Sequence, residues 1–254
     1  MRRIRANIVG VAVDVVSFED AILRIEDFIH DGRKHYVCVN SAQDIIIAQK
    51  NQAFKEIVNQ ADLATPDGWP VVWGIRVTGF VQKTRVSGPD LMLAICERGV
   101  PRGFSHFFYG GGKEVPNLLG DKLTVKFPGL KVAGKYSPPF RSLSSEEDEE
   151  IIERINNSGA DILWIGLGTP KQHFWIKDHF GKIKVPVMIA VGAAFDFHSE
   201  RIRRAPIWMQ EYGLEWLHRI FQEPRRLGKR YAEYLPAFAI LFTAQLLGIK
   251  KYRI

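Results

Sequence analysis

Residues 162–180 read ILWIGLGTPKQHFWIKDHF. The apolar run Ile162–Ile165 ends at Gly166 and Gly168, and Pro170 opens a helical segment near 171–180. A short apolar strand, a glycine turn and a helix make one unit of an α/β fold. The unit recurs on both sides. Strands at Phe104–Tyr109, Leu130–Ala133 and Val187–Val191 alternate with helical segments near 114–126 and 145–157. Each strand is a continuous apolar run, as expected for parallel strands covered on both faces. Further upstream, Ile8–Val13 reads as a strand or hairpin arm, and Ser17 caps a helix with acids in its first turn. Tyr36–Val39 and Asp62–Ala64 are strands, with helices from Ser41 and over Phe54–Asn59 between them. The turn Thr65-Pro66-Asp67-Gly68 leads into an apolar helix, and Pro89 opens another that ends at Gly99. The expected architecture is a Rossmann-like parallel sheet with helices on both faces.

The pattern changes at Pro206. Residues 1–205 form the α/β part, and 206–254 read as a basic, amphipathic helical appendage. Trp208, Met209, Tyr212, Trp216, Leu217, Ile220 and Phe221 recur at helical spacing, and Pro224 and Pro236 mark breaks. The stretch PAFAILFTAQLLGI from Pro236 is 14 residues, short of the roughly 20 needed to cross a bilayer. It packs on the domain or lies in a membrane interface, and its basic flanks favour the interface. The chain of 254 residues carries a net charge of +7. Residues 201–254 hold eleven Lys and Arg against four Glu, and the first 200 residues balance at 24 each, so the surplus lies wholly in the tail. Such asymmetry points to a polyanion: nucleic acid, an anionic membrane or a phosphorylated substrate. At 46% apolar and 25% charged residues the composition is that of a globular protein with a sizeable core. Two cysteines, Cys38 and Cys96, inside apolar runs exclude a disulfide framework, and no signal-peptide pattern opens the chain, so a cytoplasmic location is expected.

Ligands in open α/β sheets bind at the carboxyl ends of the strands, which directs attention to four loops. Gly110-Gly111-Gly112-Lys113 either admits a phosphate to backbone N–H groups or is a tight turn; it is not a dinucleotide fingerprint. In Gly166–Gln172, Lys171 in a first helical turn opposes the helix dipole, so it is either solvated or faces an anion. Asp196, between Phe195 and Phe197, either binds a ribose or base or caps local backbone, and His198 has no metal-ligating companion at suitable spacing. Asp67 is either a turn-forming residue or, desolvated by Pro66 and Trp69, a general base. The chain contains no Asp-x-Asp triplet. A departing diphosphate would therefore be met by backbone N–H groups, Arg85, Lys171 and the C-terminal arginines.

Taken in order, these segments resemble the WecG/TagA/CpsF bacterial glycosyltransferases (glycosyltransferase family 26). The matching blocks are Ala64–Gly68 (ATPDG), Arg85–Asp90 (RVSGPD), Gly166–Gln172, Val191–Asp196 (VGAAFD), Arg203–Pro206 (RRAP) and Gly213–Arg219 (GLEWLHR) followed by Glu223-Pro224. They span nearly the whole chain. The resemblance implies an inverting, metal-independent hexosyltransferase on the cytoplasmic face of the cell membrane. It would need no cofactor. Its donor would be a UDP-sugar and its acceptor a polyprenyl-diphosphate-linked saccharide of surface polysaccharide, such as exopolysaccharide or teichoic acid. By resemblance Asp67 is the catalytic base. Arg85, Gly110, Gly168, Lys171, Gln172 and Asp196 belong to the donor site. Asn40 or Ser41 takes the place of the asparagine in the family's Thr-x-Asn, which here reads Val39-Asn40-Ser41. Arg204, Arg219, Arg226 and Arg230 would face the lipid-linked diphosphate, and the appendage would meet an anionic membrane surface or a second copy of the chain. The alternatives are a non-catalytic nucleic-acid-binding protein with Trp216, Arg219 and Phe221 as a stacking surface, and a nicotinamide-dependent oxidoreductase.

Overall fold

The computed structural model describes residues 3–254. A hairpin, β1 (Arg5–Ile8) and β2 (Val11–Asp14), precedes α1 (Phe18–His30), β3 (His35–Asn40), α2 (Ala42–Lys50), α3 (Gln52–Gln60) and β4 (Leu63–Pro66). Next come α4 (Trp69–Val77), α5 (Gly88–Gly99), β5 (Ser105–Gly110), α6 (Val115–Lys126), β6 (Lys131–Tyr136), α7 (Ser145–Asn157), β7 (Ile162–Gly166), α8 (Lys171–His179) and β8 (Val187–Ala190). The chain closes with α9 (Ala194–His198), α10 (Ile207–Glu211), α11 (Glu215–Gln222) and α12 (Pro224–Leu246). Six strands form one sheet in the order β4-β3-β8-β7-β5-β6, every neighbouring pair parallel.

Helices cover both faces. Phe108, Trp164 and Ile189 point to one side, where α1, α5, α6 and α9 bury Ile25, Met92, Leu119 and Phe195. Phe107, Leu163 and Met188 point to the other, against Ile57, Ile155 and Ile176 of α3, α7 and α8. This two-sided burial is why the central strands read as unbroken apolar runs. β6 departs from that expectation: it is one of the two edge strands, half-exposed, and carries Lys131 and Lys135. Charge on an edge strand discourages pairing with another chain.

The helices after Pro206 are anchored to the domain. Phe238 and Phe242 are buried with Ile8, Val11, Ile45, Ile46 and Val71 in a third apolar cluster beneath α12. Gln245 clamps the hairpin turn, its Oε1 accepting from the Val9 N–H at 2.6 Å and its Nε2 donating to the Asn7 carbonyl at 2.7 Å. The middle of the 236–249 stretch therefore packs on the domain, the reading its basic flanks had disfavoured. Ile240, Leu246, Leu247 and Ile249 stay exposed, and among the described residues no helix is long and apolar enough to cross a membrane. Pro224 opens α12 as expected, but Pro236 does not break it. A proline inside a helix removes one backbone hydrogen bond, and the burial of Leu227 before it and Phe238 after it offsets that local loss.

Candidate active site

The loops that follow all six parallel strands border one cleft of about 1310 Å³, larger than the roughly 300–1,000 Å³ of an ordinary small-molecule site. Ser41 follows β3, Asp67 follows β4, Gly111 and Gly112 follow β5, and Pro138–Ser145 follows β6. Gly168–Gln172 follows β7 and Val191–Asp196 follows β8. The opposite wall comes from the appendage: Glu215, Trp216 and Arg219 of α11, with Arg226, Arg230 and Tyr231 of α12.

Asp67 sits where β4 stops. Its N–H donates to the Asn40 carbonyl at 2.8 Å, continuing the parallel ladder by one bond. Gly68, at φ +82°, then swings the chain into α4, a conformation that favours glycine. No protein group among the described residues donates a hydrogen bond to the half-buried Asp67 carboxyl. Burial pushes its pKa up to about 6 against the pull of Arg85, and the carboxylates of Glu215, Asp44 and Asp90 raise it further. A base with that proton affinity is ionised at neutral pH and still accepts a proton from an attacking hydroxyl.

Beside it lies a four-membered charge network. Arg85 Nη1 donates to Glu215 Oε2 at 2.7 Å, and its Nη2 donates to Gln210 Oε1 at 3.2 Å. Arg204 grips Asp90 through two bonds of 2.5 and 2.8 Å and reaches Glu215 Oε1 at 3.4 Å. Two cations and two carboxylates thus tie the appendage to the start of α5. Arg204 is committed to this network and is not on the cleft wall.

The floor beneath β3, β8 and α8 holds polar atoms with no protein partner. Gln172 is 3% exposed and its Oε1 is unpaired; a Cβ on Gly192 would stand 3.6 Å from it. Lys171, exposed at the first turn of α8, also lines the cleft. Ser41 caps α2, and Asp44 ties it to the next loop by accepting from the Ser41 N–H at 2.9 Å and from Thr169 Oγ1 at 3.0 Å. Asn40 is fully buried under this floor, its Oδ1 unpaired, and it supports Asp67 through its carbonyl. Gly110 is also below the surface. A Cβ there would lie 2.6 Å from the Gly166 carbonyl carbon, so the glycine is set by the approach of two strands.

The appendage wall is strongly cationic. Arg219 lies over the Phe197 ring at 5.3 Å and Arg230 over Tyr231 at 5.6 Å. The Nε atoms of both are buried without partners, and burial, with Arg219 and Arg226 nearby, holds the Arg230 pKa below the usual guanidinium value. Arg226 pairs with Glu223 through bonds of 2.5 and 2.6 Å. Arg201 approaches Gly112 on the same rim. Asp196 faces this group; burial raises its pKa, and Arg201, Arg226 and Arg219 oppose that rise. His198 is engaged with the Pro89 carbonyl at 2.8 Å.

The chain matches, over residues 6–252, the family described as "Glycosyl transferase WecG/TagA/CpsF family". It belongs to that family. A relative from Bacillus spizizenii, N-acetylglucosaminyldiphosphoundecaprenol N-acetyl-beta-D-mannosaminyltransferase, is 28% identical over 179 residues, covering 70% of this chain and 68% of that protein.

For this WecG/TagA/CpsF member, the structure brings Ser41, Asp67, Arg85, Gly168, Lys171, Gln172 and Asp196 to one cleft with Arg219, Arg226 and Arg230. Asn40, Gly110 and Arg204 lie behind it. Sequence reasoning passed over Glu215 although its block was quoted, and it gave Asp44 no role. A lone acid beside an arginine-rich stretch was the available signal for Glu215. The loop Pro138–Ser145, which carries the almost fully exposed Phe140, was also missed as a rim; its paired prolines mark an irregular loop and nothing more.

Proposed function

We propose that this glycosyltransferase moves a hexosyl group from a UDP-sugar to a polyprenyl-diphosphate-linked saccharide, with inversion and without a metal ion. The observation that carries the reading is a carboxyl of pKa about 6 without a hydrogen-bond donor, Asp67, in the same cleft as Arg219 and Arg230, which make no ion pair among the described residues. Asp67 takes the proton from the acceptor hydroxyl as that oxygen bonds to the anomeric carbon. The bond from that carbon to the donor phosphate breaks from the opposite side, and its electron pair leaves with UDP. Arg219, Arg226, Arg230 and Lys171, with the backbone N–H groups at the start of α8, meet the negative charge as it grows. The name of the Bacillus spizizenii relative, which describes a diphosphoundecaprenol-linked acceptor, supports the choice of acceptor. A cytoplasmic enzyme resting on the inner membrane face fits such an acceptor, and the exposed Ile240, Leu246, Leu247 and Ile249, next to Lys250 and Lys251, supply a surface for the contact.

The test is UDP release from a panel of UDP-sugars with a lipid-diphosphate saccharide as acceptor, with and without chelator. Turnover with one or a few donors, unaffected by chelator, is expected. No turnover with any UDP-sugar, or a strict divalent-metal requirement, overturns the reading.

A further inference from the structure

Arg85 is the cation that acts most strongly on the Asp67 carboxyl, yet it makes no hydrogen bond to it. Both of its side-chain hydrogen bonds go to the appendage, to Gln210 on α10 and to Glu215 on α11. Its remaining acidic neighbour, Asp90, stands at 3.9 Å and is already held by two bonds from Arg204. The α10–α11 segment is fixed in turn by the body of the protein. Trp69 Nε1 donates to the Gln210 carbonyl at 3.0 Å, and Trp69 lies so close to Gly213 that a Cβ there would fall 2.8 Å from its ring. The other charged groups around the base are Asp44 from α2 and Asp90 from α5, with Lys171 of α8 on the same cleft. Asp44 is occupied with Ser41 and Thr169.

We infer that Glu215 is a positioning residue that holds the Arg85 guanidinium off Asp67, so the base is free of an ion pair only while the α10–α11 segment is docked. Without Glu215, Arg85 keeps the neutral Gln210 and, at 3.9 Å, an Asp90 already held by Arg204, which leaves the Asp67 carboxyl as the unpaired acid on which its charge acts. A salt bridge there would stabilise the ionised acid and weaken it as a base. Docking of the segment then does two things at once: it brings the cationic wall to the cleft and it releases the base. The inference rests on the assignment of Asp67 as that base.

The test compares the pH dependence of kcat, read by UDP release from the full-length chain, for the parent, Glu215→Gln, Arg85→Leu and the double variant Arg85→Leu/Glu215→Gln. Glu215→Gln is expected to move the acid limb to lower pH by about 1 unit and to lower kcat at pH 7.5 by about tenfold. In the Arg85→Leu background, where there is no guanidinium to release, the Glu215→Gln change is expected to move the limb by much less than it does in the parent, even where KM rises. Thermal unfolding is followed in parallel. A limb that stays in place in Glu215→Gln, with or without a lower melting temperature, overturns the inference. So does a limb shift on Glu215→Gln that is as large in the Arg85→Leu background as in the parent, which loss of the Glu215 charge alone would give. Asp67→Asn separates the two levels: if it keeps parental turnover, the base assignment itself is wrong, whereas a dead Asp67→Asn with an unmoved Glu215→Gln limb rejects only the role of Glu215.

Discussion

The two walls of the cleft are held in place by different forces. The sheet wall is a set of loops fixed by parallel backbone ladders and close contacts such as Gly110 against Gly166. The appendage wall is held by side chains: Phe238 and Phe242 in the core under α12, Trp69 against Gly213, and the Arg85–Glu215 and Arg204–Asp90 pairs. The proposed base belongs to the first wall, and Arg219, Arg226 and Arg230 to the second. The proposed chemistry therefore needs both walls in register, and each can be disturbed separately.

The largest effect on stability comes from cutting the anchor of the second wall. Phe242→Ala, in the cluster below α12, is expected to cost about 3–4 kcal/mol in urea unfolding and to lose activity along with it. If activity survives at parental level, the appendage wall contributes nothing to the site. The matching change in the first wall is Gly110→Ala. Gly110 has φ +126° and a new Cβ would meet the Gly166 backbone, so a loss of about 2–3 kcal/mol is expected. Here the cationic wall stays anchored, and a cost below experimental error would show that the strands can move apart.

Arg230→Ala tests the second wall with little change to its anchorage, because the Arg230 Nε has no protein partner to lose. KM for the substrate whose diphosphate it meets is expected to rise about 10- to 30-fold, as for loss of a charged hydrogen bond, with the melting temperature kept. A lower melting temperature with unchanged KM would make the residue structural.

The smallest effect is the pH dependence of stability at Asp67. Its pKa in the folded chain, about 6, lies above the ordinary aspartate value of 3.8, so the folded state holds the proton more tightly than the unfolded state does. Stability falls as pH rises between these values, and the full penalty is present above 6. Asp67→Asn is therefore expected to be more stable than the parent at neutral pH, by on the order of 1–2 kcal/mol after allowance for water in the cleft, and equal to it near pH 4. Urea titrations at the two pH values read the difference.

Much of the first wall was legible in the sequence. Apolar runs such as Ile162–Ile165 ending in glycine show a buried strand and its turn because both features are local. Gly110 and Gly168 look alike at that level, yet one is fixed by a neighbouring strand and the other lies on the cleft, and pairing between distant strands is not visible in either loop. The second wall was legible as charge alone. The tail's surplus of arginine was plain, but not that Arg204 is neutralised by Asp90, a residue more than a hundred positions away. Pro236 misled because the bond a proline removes is a local loss, whereas the burial of Leu227 and Phe238 that compensates for it is tertiary.

The proton acceptor is the point at which the whole scheme can be tested most directly. Turnover of Asp67→Asn, measured as UDP release under saturating donor and acceptor with the fold verified by circular dichroism, is expected to fall about 1,000-fold. A variant that keeps turnover within about tenfold of the parent, folded and saturated, would mean that another group takes the proton.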